Sequence, residues 1–164
     1  MFFEQKLYFE NLQEGKKFEL GSVTVSKEDI FEFAERYDPQ AFHLDEATSV
    51  AVFGGLAASG WQTACLFQRL MARQFLNNVV CLGGAGVENL QFAKPVFADD
   101  KLSGRVTIAE RRLSKSRPDR GLVKLLCEMV NTQGDLVLSM IGIVVIATNR
   151  TEARMNKEDQ CCSN

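Results

Sequence analysis

Tyr37-Asp38-Pro39-Gln40-Ala41-Phe42-His43 is followed by the glycine-punctuated Phe53-Gly54-Gly55-Leu56-Ala57-Ala58-Ser59-Gly60 and then by the mostly apolar run Trp61 to Phe75. This stretch decides how the rest of the chain is read, because everything after it has the look of sheet. Its opening loop carries the only histidine in the sequence, so acid/base chemistry that needs an imidazole at neutral pH has one place to occur. Pro39 disfavours helical backbone at Asp38. A helix ending there leaves Asp38 and His43 in a loop, where they can converge; on one continuous helix they would point roughly 140° apart.

Working outward, Ser26 reads as an N-cap with Asp29 in capping-box position, and Ile30, Phe33, Ala34 and Tyr37 share one helical face. The spacing predicts a helix over Lys27 to Tyr37. Asp45 caps a second, short helix through Val52, broken by Gly54-Gly55. From Trp61 to Phe75 the apolar stripe is wide enough to predict a largely buried helix with a narrow polar edge of Gln62, Arg69 and Arg73. Met1 to Ser22 is a candidate for an extended edge segment.

Downstream, Val79 to Leu82 and Val87 to Phe92 read as two short strands. Leu102, Gly104, Val106 and Ile108 alternate with Ser103, Arg105, Thr107 and Ala109, the period-two pattern of a half-buried strand. A basic turn from Arg111 to Gly121 leads to strands Leu122 to Val130 and Leu136 to Thr148, joined by a hairpin at Asn131 to Asp135. The last strand is apolar on both faces, with Val137, Ile141, Ile143 and Val145 opposite Leu136, Leu138, Met140, Val144 and Ile146. It belongs in the middle of a sheet, or against a second subunit. Residues 1–150 form one α+β domain, a sheet wrapped around a helix, and 151–164 read as a disordered tail.

Composition narrows the function classes. With 164 residues, 46% of them hydrophobic, and a net charge of −2, the chain can bury a core but has no excess of Lys and Arg to release counterions from a nucleic acid. No apolar run approaches the ~20 residues of a membrane span, and the amino terminus lacks a secretory signal. A cytoplasmic location is expected. Five cysteines, an odd count without a C-x-x-C motif, argue against a disulfide framework or a structural metal, and Cys161-Cys162 read as exposed thiols.

Four motifs in order, Tyr37 to Asp45, Phe53 to Trp61, Phe92-Ala93-Lys94-Pro95-Val96 and Ser114 to Gly121, resemble the MaoC-type dehydratases, relatives of the (R)-specific enoyl-CoA hydratases with the hotdog fold. The resemblance spans roughly residues 10 to 148. It implies reversible hydration of a 2-enoyl-CoA, an acyl-CoA substrate, no cofactor, no metal, and a homodimer or higher homo-oligomer. Its catalytic pair falls on Asp38 and His43; which of them takes the first proton stays open. The backbone N–H of Gly60 is the expected donor to the thioester oxygen. Phe42, Phe53, Ser59 and Trp61 are expected around the acyl group, though aromatics at such junctions also serve as plain core. Lys115, Arg117 and Arg120 read either as a solvated turn or as a site for CoA phosphates. The resemblance also predicts that Asp38 and His43 of one subunit meet the Gly60 region of the other.

The sequence departs from the family in three places. Ala41 stands where proline is common, Asp99-Asp100 stand where the turn often carries Gly before Asp, and Gln68 stands at a helix position that is serine in the short (R)-hydratases. Two other functions compete. A hotdog thioesterase would be expected to carry an acidic residue on the central helix, and none lies between Trp61 and Phe75. A non-catalytic acyl-CoA-binding subunit would have no need of both Asp38 and His43.

Overall fold

The computed structural model describes residues 6–149. Four helices, α1 (Lys27–Tyr37), α2 (Ala41–Leu44), α3 (Glu46–Phe53) and α4 (Gly60–Gln74), lie against five strands, β1 (Lys17–Thr24), β2 (Cys81–Phe92), β3 (Lys101–Leu113), β4 (Arg120–Val130) and β5 (Leu136–Ala147). All strand pairs are antiparallel in the order β1-β3-β4-β5-β2. The sheet curves around α4, the expected α+β architecture. The tail 151–164, with Cys161-Cys162, lies outside the described residues.

Helix α1 has the predicted bounds, and Ser26 Oγ accepts from the Asp29 N–H at 3.0 Å. It ends where Pro39 requires. The segment predicted as an open loop contains the short α2, however, and His43 sits on it. Asp45 caps α3 by accepting from the Thr48 N–H at 2.7 Å. The Asp99-Asp100 turn works as a glycine turn would: Asp99 has φ 69°, a left-handed conformation aspartate tolerates, and Asp100 accepts from the Phe97 N–H at 2.8 Å.

Helix α4 is amphipathic rather than largely buried. Leu66, Phe67, Leu70 and Met71 face the core, each contributing about 1.5–3 kcal/mol by burial. Trp61 and Cys65, placed by the sequence on the buried stripe, are exposed, and Gln62, placed on the polar edge, is only 3% exposed. One helical stripe cannot cover both β1–β3 and β2 in a single chain, so part of the apolar surface remains outside.

The two short strands predicted around Gly83-Gly84-Ala85-Gly86 are one, β2. Its register against β5 shifts at Cys81/Gly83 and Gly84/Gly86, and Gly83 and Gly86 have φ of 150° and 147°. These glycines make bulges in a continuing strand, not a break. The basic turn is correspondingly shorter than predicted, since Arg111 to Leu113 belong to β3 and Arg120-Gly121 to β4. Strand β5 lies between β4 and β2, inside the sheet as expected, with the Met140, Val144 and Ile146 face buried. Cys127 on β4 is wholly buried, and burial pushes its thiol up to about 12. No described helix is long and apolar enough to cross a membrane.

Candidate active site

Asp38 is the residue at which α1 stops. Its N–H still donates to Ala34 O at 3.0 Å, and the Gln40 N–H turns back onto Asp38 O at 2.8 Å. That tight turn at Pro39 lets α2 begin at Ala41 and carry His43 to the carboxylate. His43 Nε2 stands 3.6 Å from Asp38 Oδ2, with the two side chains 7% and 16% exposed.

The tautomer of His43 follows from its other nitrogen. Nδ1 lies 2.8 Å from Ala57 O; a carbonyl only accepts, so Nδ1 carries the hydrogen. The Ala57 carbonyl is held by its surroundings. The Ala57 N–H donates to Ser49 Oγ at 2.9 Å, Ser49 Oγ donates to Gly55 O at 2.9 Å, and the Ala58 N–H donates to Val96 O at 2.8 Å. When neutral, His43 therefore presents a lone pair at Nε2 to a carboxylate. Two acceptors facing each other need a hydrogen between them, supplied by protonation of the ring or by a water donating to both.

Asp38 is held from two further sides. Ser59 Oγ donates to Oδ2 at 2.6 Å, and Gln40 Nε2 donates to Oδ1 at 2.7 Å. The Ser59 bond, opposed by partial burial and reinforced by Gln40 and by the charge of His43, holds the carboxyl below its ordinary value. Ser59 also caps α4, its Oγ accepting from the Trp61 N–H at 3.2 Å. The Gly60 N–H, as the first of the helix, has no intrahelical acceptor.

A cleft of about 250 Å³, lined by Phe53, Ala57, Gly60, Phe92 and Val137 among others, adjoins the pair's neighbours Ala57 and Gly60 rather than Asp38 and His43 themselves. Phe42 sits edge-on to His43 at 4.6 Å between centroids and to Phe53 at 5.4 Å, so both aromatics back the imidazole, with Phe53 also facing the cleft. Trp61 packs edge-on to Phe92 at 5.7 Å and is 58% exposed. A Cβ on Gly60 would lie 2.5 Å from the Phe92 ring. The glycine is thus required by packing within the chain as well as by any ligand.

Six predicted residues, Asp38, Phe42, His43, Phe53, Ser59 and Gly60, come together here, with Trp61 at the rim. One expectation is corrected. The Gly60 region that adjoins Asp38 and His43 belongs to the same chain, since Ser59 bonds Asp38 directly. Lys115, Arg117 and Arg120 do not reach this site within one chain. The turn that holds them follows the Arg120↔Ala147 end of the sheet, whereas the cleft lies at the Phe92↔Leu138 end. Leu138 to Ala147 spans about 30 Å of strand. In that turn Asp119 pairs with Arg120 at 3.0 Å and Arg117 at 3.6 Å, leaving Lys115 exposed. The sequence reading missed Gln40, the Ala57 carbonyl and Phe92. Gln40 was discoverable as the polar neighbour two residues from Asp38, while the other two depend on tertiary contacts.

Among the described residues, no group of three or more His, Cys, Asp or Glu side chains is placed to hold a metal ion.

A model of the MaoC-like domain matches residues 10–125. The uncharacterized protein YdeM of Bacillus subtilis is 32% identical over 118 residues, covering 71% of this chain and 82% of that protein. The crystal structure of a MaoC-like dehydratase from Rhodospirillum rubrum is 35% identical, with a TM-score of 0.81 over 87% of this chain and 98% of the other. An (R)-hydratase from A. caviae involved in PHA biosynthesis is 25% identical, with a TM-score of 0.60 over 81% of this chain and 96% of that one. The sheet wrapped around α4 is the hotdog fold. On the match across residues 10–125, the chain belongs to the MaoC-like domain family.

Proposed function

We propose that this chain reversibly hydrates a 2-enoyl-CoA to a 3-hydroxyacyl-CoA. Membership in the MaoC-like family and similarity to a MaoC-like dehydratase and an (R)-hydratase support hydration or dehydration of a thioester in general. The observation that carries the reading is the His43 geometry: its one N–H is spent on Ala57 O, and its Nε2 lone pair faces the Asp38 carboxylate across 3.6 Å.

A water donating to Nε2 and to Asp38 is held for attack on C3. A carboxyl kept below its ordinary range is a poor proton acceptor, which leaves Nε2 as the base. As the C3–O bond forms, the water proton passes to Nε2 and the C2=C3 electron pair moves toward the thioester, whose oxygen is met by the Gly60 N–H. The imidazolium then returns its proton to C2, so water adds across the double bond with no net change in the protein. Asp38 stabilises the imidazolium in between.

Strand β2 supports a homodimer. It is an edge strand of 12 residues with Leu82, Val87 and Phe92 exposed, a surface that pairing with a second copy would cover. Antiparallel pairing of two β2 strands would set the Cys81 end of one chain beside the Phe92 end of the other. The basic turn lies at the Cys81 end, so Lys115 and Arg117 of the partner would approach this chain's cleft and meet the CoA phosphates. A cytoplasmic location fits a CoA substrate.

The test is absorbance at the enoyl-thioester band with crotonyl-CoA and longer enoyl-CoAs, read alongside free thiol. Loss of the band without thiol is expected. Thiol release would establish the thioesterase instead, and binding without either change would establish the non-catalytic subunit.

A further inference from the structure

A second cleft, of about 280 Å³, lies between α1 and α4. Phe33 and Tyr37 form its α1 wall, their rings 5.1 Å apart, and Gln62 and Leu66 form its α4 wall, with Glu32 and Arg69 among its charged groups. It adjoins the catalytic pair along both helices. Tyr37 immediately precedes Asp38, and Gln62 stands three residues beyond Ser59, the next position on that face of α4.

Gln62 is the anomaly in this cleft. Its side chain is buried, and Oε1 has no hydrogen-bond partner among the described residues. Every other buried side-chain oxygen or nitrogen among the described residues has one. A buried amide oxygen without a donor in the chain costs stability unless something entering the cleft it lines, a water or a ligand group, supplies one. Arg36 is occupied with Glu32 at 3.3 Å and does not turn to Gln62.

The direction of the substrate leads to the same place. If the thioester oxygen meets the Gly60 N–H and C3 meets the water between Asp38 and His43, an acyl chain that continues past Asp38 reaches its neighbour Tyr37 and the cleft that Tyr37 and Gln62 line. We propose that the α1–α4 cleft takes the acyl chain beyond C3 and that Gln62 is a specificity-determining residue there, accepting a hydrogen bond from a hydroxyl carried on the chain. The cleft is then suited to hydroxylated acyl groups and poorly suited to plain hydrocarbon tails, because a purely apolar tail would leave Oε1 buried and unpaired. This rests on the hydration reading only for the direction in which the acyl chain runs.

The test uses binding, so that it does not depend on turnover. Saturated acyl-CoA ligands of equal length, one plain and a series hydroxylated at C4, C5 or C6, are titrated calorimetrically into the full-length wild-type protein and into Gln62→Met. Wild type is expected to bind one member of the hydroxylated series at least about tenfold more tightly than the plain ligand, and Gln62→Met to lose that preference. In the absence of ligand, Gln62→Met is expected to melt at a higher temperature than wild type, since it removes an unpaired buried oxygen without opening a cavity. Three results would each overturn the proposal: equal affinity of wild type for every member, a preference that survives in Gln62→Met, or a lowered melting temperature in that variant. If hydroxylated ligands are preferred but the enoyl band is untouched, the hydration reading fails and the cleft assignment stands.

Discussion

Ser59 was read as a residue around the acyl group, and what the sequence did not show is that its hydroxyl ties the two halves of the site together. It donates to Asp38 at 2.6 Å and caps α4 through the Trp61 N–H. Replacing it with alanine should cost about 2 kcal/mol at pH 7, for a cap and a charge-assisted bond lost together. The pH dependence separates those two parts. Asp38 has a depressed folded pKa, so its contribution is present above the unfolded value of about 3.9 and is lost as pH falls through the lower folded value. The stability gap between wild type and Ser59→Ala should therefore be full at pH 7 and narrow on acidification below about pH 4. Denaturant titrations at several pH values check this; a gap that stays constant would mean that Ser59 serves only as a helix cap. Cysteine chemistry offers a second reading at this scale. Cys127 is buried with its thiol pushed up to about 12, whereas Cys65 is exposed. A native-state alkylation pulse should label Cys65 and leave Cys127 unmodified by mass spectrometry. The pair Asp38 and His43 was readable from their spacing around Pro39 and from the motif, but the tautomer of His43 was not. It depends on the Ala57 carbonyl, which reaches the ring only through the Ser49 and Val96 contacts.

Helix α1, the Asp45 cap and the alternation of β3 were legible because capping residues and period-two patterns act locally. Helix α4 was misread for a different reason. Its apolar residues surround more of the helix than one sheet can cover, so pattern alone could not say that Trp61 and Cys65 stay outside while Gln62 goes in. The glycines of β2 were read as a break because the same residue serves turns and bulges alike. At the start of α4, Gly60 fits beneath Phe92, and the predicted reason for the glycine, room for a ligand, is joined by a steric one. Gly60→Ala alone should therefore lose stability, whereas Gly60→Ala with Phe92→Ala should recover much of it. Thermal melts of the two variants decide the point. If the single variant melts with wild type, Phe92 yields freely and the glycine is there for the ligand alone.

For the molecule as a whole, the sequence pointed to an oligomer through β5, whereas the apolar edge left exposed is β2, whose exposure depends on sheet order and so could not be read from its own residues. Val87 is 57% exposed at the middle of that strand. Val87→Lys should shift the protein toward a single 18.3 kDa chain in sedimentation equilibrium at micromolar concentration. Wild type that sediments as a monomer would remove the dimer and with it the route by which the partner's basic turn approaches the cleft. The Asp38–His43 pair itself lies within one chain, and mixed dimers test that arrangement together with the proposed chemistry. Asp38→Asn and His43→Ala should each lower kcat/KM for an enoyl-CoA by about 10²–10⁴-fold, with the double variant scarcely worse than either single one. When the two inactive single variants are unfolded together and refolded as mixed dimers, no chain holds both groups, and hydration should remain at the level of the single variants. Near-normal activity in either variant alone, or recovery on mixing to about a quarter of the wild-type rate, the share of intact sites if the two groups met across the interface, would contradict a water activated by Asp38 and His43 of one chain.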